Sequence, residues 1–145
     1  MLLGTDGQKM SKSRNNSIPI GATADETARL LSRAKTDSER HVTYDPVNRP
    51  EVSNLVLLGA LCLDRKPEAL AEEVGAGGNA ALKRTVIEAV NEYFRPIRAR
   101  RAELVDDRAQ LRRILLAGNE RASAIAHETL ADVRRLMHTD YGDAA

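Results

Sequence analysis

Three features of this 145-residue sequence predict an all-α fold. Apolar residues return every three to four positions in two long stretches, Leu82, Val86, Val90, Tyr93, Ile97 and Ala122, Ile125, Thr129, Val133, Leu136. Helix-start signals stand at Thr23 and Pro67. Aromatic residues make up only 3% of the chain and Trp is absent, so the core must come from Leu, Val, Ile and Ala. Together these predict a bundle of roughly four to six helices behind a polar opening segment.

The elements follow in order. Residues 1–22 read as a short strand remnant, a loop, and an extended piece, "SIPIG". "TADE" from Thr23 is a capping-box pattern, in which Thr23 and Glu26 satisfy each other's backbone N–H groups. The helix after it places Ala28, Leu31, Ala34 and Lys35 on one face. "TDSERHVTYDPVNRP" has no period and two prolines, so it is a loop. Glu51 to Leu63 is apolar nearly all round, which predicts a central, buried helix. Pro67 opens a short helix that "GAGGN" ends. A long amphipathic helix then carries Leu82 to Ile97, with a kink expected at Pro96. Gly118-Asn119 predicts a boundary before the last helix. The expected division is therefore 1–22 and 23–145.

Composition excludes several classes. Twenty-two basic residues face twenty-one acidic ones, so net charge carries no nucleic-acid signature and only local clustering can. A lone cysteine, Cys62, permits no internal disulfide and fits a reducing cytoplasm. No signal peptide is read, and the longest apolar run is too short to span a bilayer. His41, His127 and His138 have no metal-ligand spacing. Asp37, Glu39 and Asp45 share one loop, and two of the three read as turn-capping or ion-pair residues.

Two stretches remain as candidate sites. In "DGQKMSKSRNNSI", residues 6–18, Lys9 and Lys12 stand among Gly7, Ser11 and Ser13. Ammonium groups, hydroxyls and free backbone N–H groups in one loop suit a polyphosphate, and equally a solvated surface loop. The spacing of Gly4, Gly7 and Lys9 is not that of a P-loop. Downstream, seven arginines lie between Arg95 and Arg113. Arg95, Arg98, Arg101 and Arg112 are the candidate phosphate contacts on that stripe, and i,i+4 ion pairing on a solvated helix face is the alternative.

"KMSKS", Lys9 to Ser13, resembles the second signature of the class I aminoacyl-tRNA synthetases. "AKTDSERHVTYDPVNRPEVSNLVLL", Ala34 to Leu58, is similar to the segment that follows this signature in bacterial tryptophanyl-tRNA synthetases. "RPI" at Arg95–Ile97 and the pattern of Ala117 to Met137 resemble the same family, so the likeness covers essentially the whole chain. The resemblance implies a KMSKS loop, a short remnant of a Rossmann-type domain, and an anticodon-binding-like helical domain. It also implies that the Rossmann half with the HIGH-type signature is absent. The implied reaction is ATP-dependent attachment of tryptophan to its tRNA. Lys9 and Lys12 would hold the β- and γ-phosphates as pyrophosphate leaves. Met10, Ser11 and Ser13 would complete the ATP contacts. ATP, with Mg in the family's full enzyme, is a substrate, and no tightly bound cofactor is expected. The reading is thus the C-terminal portion, or a truncated paralogue, of a tryptophan–tRNA ligase, inactive alone and monomeric, with tryptophan tRNA as partner. Its alternatives are a non-catalytic tRNA- or protein-binding module and a subunit completing a separately encoded catalytic half.

Overall fold

A computed structural model describes residues 2–139. Five α-helices follow the opening loop: α1 (Ala24–Ser32), α2 (Pro50–Leu63), α3 (Pro67–Val74), α4 (Gly78–Asp106) and α5 (Arg108–Leu136). No strand is formed among the described residues. Leu3 makes only an isolated antiparallel bridge to Lys9. The all-α prediction therefore holds. The backbone divides into two compact units, Met1–Arg100 and Arg101–Ala145, and the opening loop belongs to the first with α1 to α3.

The capping box forms as its residues dictate. The Thr23 hydroxyl accepts from the Glu26 N–H at 3.2 Å, and the Glu26 carboxylate accepts from the Thr23 N–H at 2.8 Å. Helix α1 buries Thr27 and Leu31, and Ala34 continues that inward face just past its end. Lys35, expected on the same face, is exposed and pairs with Glu51 at 2.7 Å.

Pro50 starts α2 and Pro67 starts α3, where a missing N–H costs nothing. Helix α2 buries Val52, Leu55, Val56 and Ala60. Its burial is not all-round, as the sequence predicts, because Leu61 and Leu63 face outward at 58% and 39% exposure. Gly59 marks the close approach: a Cβ there would lie 3.0 Å from a Leu70 methyl and 3.1 Å from a Val86 methyl. Leu31, Val42, Leu70, Leu82, Val86 and Val90 complete the core of the first unit.

The predicted apolar face of α4 reaches the core only as far as Val90. Tyr93 and Ile97 are about half exposed, at 52% and 44%. Phe94 packs instead against the core and meets Tyr93 edge to face, with ring centroids 5.2 Å apart. The helix is continuous through Pro96.

The second unit holds a correction. Gly118-Asn119 does not end a helix, and α5 runs unbroken through it. The boundary falls earlier, at Asp107, whose carboxylate accepts from the Gln110 N–H at 2.8 Å. An N-cap satisfies an orphan donor, whereas a glycine inside a helix costs only about 1 kcal/mol. The predicted face from Ala122 to Leu136 is exposed, and α5 has no buried residue.

Candidate functional site

The KMSKS loop is built on the helical body of the first unit. Asn54 on α2 clamps its entry: the Leu3 N–H donates to Asn54 Oδ1 at 2.7 Å, and Asn54 Nδ2 donates to the Leu3 carbonyl at 3.2 Å. One side-chain amide thus imitates a neighbouring strand. The Lys35 N–H donates to the Thr5 carbonyl at 2.7 Å, tying the same strap to the end of α1. Gly7 adopts φ 79°, and a Cβ there would meet the Glu51 side chain at 2.7 Å.

The interior of the loop is organised by Asn16, which is 2% exposed. Its Oδ1 accepts from the Ser11 N–H at 2.8 Å. Its Nδ2 donates to Asp6 Oδ1 at 2.8 Å and to the Lys9 carbonyl at 3.1 Å. Its own carbonyl accepts from the Thr5 N–H at 2.8 Å. Asp6 Oδ1 also accepts from the Gln8 N–H at 2.9 Å. These two donors, Gln8 first and Asn16 second, hold the Asp6 carboxyl below its ordinary pKa.

On that frame the signature residues face outward. Lys9, Met10, Lys12 and Ser13 are exposed and Ser11 is half-buried. Lys12–Arg14 form a 3-10 turn, closed by Asn15 in the left-handed region at φ 51°. The hydroxyls of Ser11 and Ser13 lie 2.8 Å apart. Neither lysine ammonium meets a carboxylate among the described residues. Two exposed lysines and two serine hydroxyls, the latter in contact, thus share one loop whose backbone is pinned. Met10 borders an apolar cavity of about 380 Å³, walled also by Ile18, Leu31, Leu55 and Phe94. No group of three or more His, Cys, Asp or Glu side chains placed to hold a metal ion occurs among the described residues.

The arginines of the expected stripe have different fates. Arg98 turns inward: Nε donates to the Ala22 carbonyl at 2.9 Å, one terminal nitrogen to the Asn91 carbonyl at 3.3 Å, and the other to Thr27 Oγ1 at 3.0 Å. Its guanidinium ties α4 to the start of α1. It also serves a carbonyl beside that of Glu92, the one Pro96 leaves without its helical donor. Arg95 pairs with Glu92 at 2.7 Å on the surface. Arg101 and Arg112 are exposed, in the second unit. Asn16, Asp6 and Asn54 were missed by sequence reasoning. For Asp6 and Asn16 the sequence signal is the Asn and Asp density around a lysine-bearing loop, and Asn54 on α2 has none.

Residues 1–95 match the family described as tRNA synthetases class I (W and Y). Tryptophan–tRNA ligase 1 of Streptomyces coelicolor is 38% identical over 94% of this chain and 41% of its own length. The tryptophan–tRNA ligase of Corynebacterium glutamicum is 35% identical over 86% of this chain and 37% of its own length. The crystal structure of tryptophanyl-tRNA synthetase from Campylobacter jejuni superposes with a TM-score of 0.71 at 30% identity, over 94% of this chain and 43% of that one. A second structure of that enzyme contains ADP and tryptophan. This chain therefore spans about two-fifths of the length of the relatives it matches. By sequence and by fold, the chain belongs to the class I tRNA synthetases of the tryptophan and tyrosine branch, and its relatives are tryptophan–tRNA ligases.

Proposed function

We propose that this chain supplies the phosphate loop and the tRNA-facing helices for the ATP-dependent ligation of tryptophan to its tRNA. The observation that carries the reading is the pair Lys9 and Lys12, exposed and without carboxylate partners among the described residues, on a loop that the buried Asn16 holds in place. Tryptophan's carboxylate attacks the α-phosphate, and negative charge builds on the departing pyrophosphate. Lysines whose reach tightens on that charge stabilise the transition state more than the ground state. Ser11 and Ser13 add weaker donors, and Met10 supplies an apolar edge beside the nucleotide. Magnesium, when bound with ATP, adds charge neutralisation of the phosphates.

In this reading adenylate forms only when a Rossmann-type catalytic part accompanies the chain, in one polypeptide or as a separate subunit. The chain alone is a monomer without ligase activity, and it works in the cytoplasm. A non-catalytic tRNA- or protein-binding module is the rival reading. On the tRNA side, Arg101 and Arg112 remain available for phosphates and Arg95 is shared with Glu92, whereas the inward bonds of Arg98 remove it from the proposed contacts.

The test is an NMR titration of the chain with ATP and with inorganic pyrophosphate. Weak, millimolar binding is expected, with the largest shifts in residues 9–13 and loss of binding in Lys9→Ala and Lys12→Ala. Absence of any shift in that loop at high ligand concentration would remove the phosphate role. Micromolar affinity in the isolated chain would show that the loop needs no further domain.

A further inference from the structure

We propose that Asn16 is the positioning residue of the phosphate loop. The inference rests on the phosphate reading above and adds the residue that sets the geometry of both lysines. The Asn16 amide brackets Met10: it holds the carbonyl of Lys9 on one side and the N–H of Ser11 on the other. The backbone directions from which Lys9 and Lys12 leave the loop are fixed by those two bonds and by the Lys12–Arg14 turn that follows. Asp6 orients the amide, since Asp6 Oδ1 can only accept and so selects the Nδ2 end. Gly4 makes the space: a Cβ there would lie 2.5 Å from Asn16 Nδ2 and 2.7 Å from the Asn16 carbonyl. Burial of a polar side chain with its hydrogen bonds served by one loop favours one backbone conformation of that loop. A phosphate then meets a backbone already set, and only the lysine side chains remain to be ordered when the ligand arrives.

The variants follow from the donor pattern. Asn16→Ala removes all three side-chain bonds. Asn16→Asp keeps the acceptor for Ser11 but sets a carboxylate against Asp6. Asp6→Ala keeps the Asn16 amide and its bonds to Lys9 and Ser11 but removes the acceptor that orients it. Gly4→Ala pushes the amide out without altering it.

The experiment measures inorganic pyrophosphate binding by NMR on the whole chain, beside thermal melting followed by circular dichroism. Asn16→Ala, Asn16→Asp and Gly4→Ala are expected to weaken binding about tenfold or more, since displacement of a positioned group by an ångström has effects of that size. Melting of the helices should stay close to that of the unaltered chain. Asp6→Ala should weaken binding by less than Asn16→Ala, since the two bonds that bracket Met10 remain, an ordering that a generic loss of packing would not give. If the unaltered chain binds and Asn16→Ala binds equally well, the positioning role is overturned and the phosphate reading survives. If Asp6→Ala binds as tightly as the unaltered chain, the orienting role of Asp6 is overturned. If the unaltered chain does not bind pyrophosphate and Lys9→Ala shifts nothing, both readings fall together.

Discussion

At the scale of single residues, Arg49 does what no local pattern announces. It is 7% exposed, and its guanidinium takes Asp37 in a two-point grip, with both distances 2.7 Å. Its remaining terminal nitrogen donates to the His41 carbonyl at 2.6 Å and to Thr43 Oγ1 at 2.8 Å. The aperiodic loop between α1 and α2 is thus folded around a buried cation. The Arg49 guanidinium holds the Asp37 carboxyl below its ordinary pKa. A group depressed in the folded state stabilises above its unfolded pKa, about 3.9 for Asp, and that contribution is lost as pH falls through the folded value. Asp37→Asn should cost about 3 kcal/mol at neutral pH, because it leaves a buried charge without its main partner. Urea unfolding across pH should then show a shallower acid decline for the variant than for the unaltered chain. Parallel declines would refute the assignment. The sequence predicts turn or ion-pair roles for two of Asp37, Glu39 and Asp45, and Asp37 and Asp45 both take them, since Asx turns are local chemistry. It did not find Arg49 or Asn16. The side-chain partners of Asn16 lie 5 to 10 residues away and those of Arg49 lie 6 to 12, outside any helix or turn spacing, so no local pattern marks either residue.

Helices α1 to α3 and the first half of α4 were legible because their caps, prolines and apolar spacing agree with one another. Legibility fails where periodicity outruns burial. The spacing of Leu82, Val86 and Val90 continues through Tyr93 and Ile97, but only the first three are buried. Periodicity reports a face; it does not report whether anything covers that face. The same limit applies to α2, whose uniformly apolar sequence hides an outward side at Leu61 and Leu63. A paired substitution separates the two cases. Leu82→Ala should destabilise the first unit by about 2–5 kcal/mol, because Leu82 is fully buried and its truncation leaves a cavity. Leu61→Ala, at 58% exposure, should change stability by less than about 0.5 kcal/mol. Chemical denaturation of both variants decides it. Similar destabilisation at the two positions would mean that the outward side of α2 is covered in solution.

The whole chain presents two kinds of chemistry, a lysine loop in the first unit and an arginine-rich helix in the second. Between Arg108 and Asn119, α5 carries Arg108, Arg112 and Arg113 and no acidic residue. Cations at a helix N-terminus oppose its dipole, so this placement does not serve helix stability. It groups three exposed cations over about two turns, the footing proposed above for an RNA backbone. Phosphate contacts supply affinity without sequence preference, and specificity must come from side chains that read splayed bases. Changing Arg101 and Arg112 together to Ala should therefore weaken binding to every RNA alike. The slope of log affinity against log salt should flatten by about 0.7 for each phosphate that is no longer neutralised. Helix content should not change, because both side chains are exposed. Arg98→Ala provides the contrast: with its bonds to Ala22, Asn91 and Thr27 gone, it should lower the melting temperature. Its salt slope should match that of the unaltered chain. Filter binding of tryptophan tRNA and an unrelated tRNA across a salt series measures all of this. Equal affinity for the two RNAs would leave a general RNA-binding helix. A salt slope near zero would remove RNA as the partner and favour a protein-binding module or a subunit of a larger synthetase.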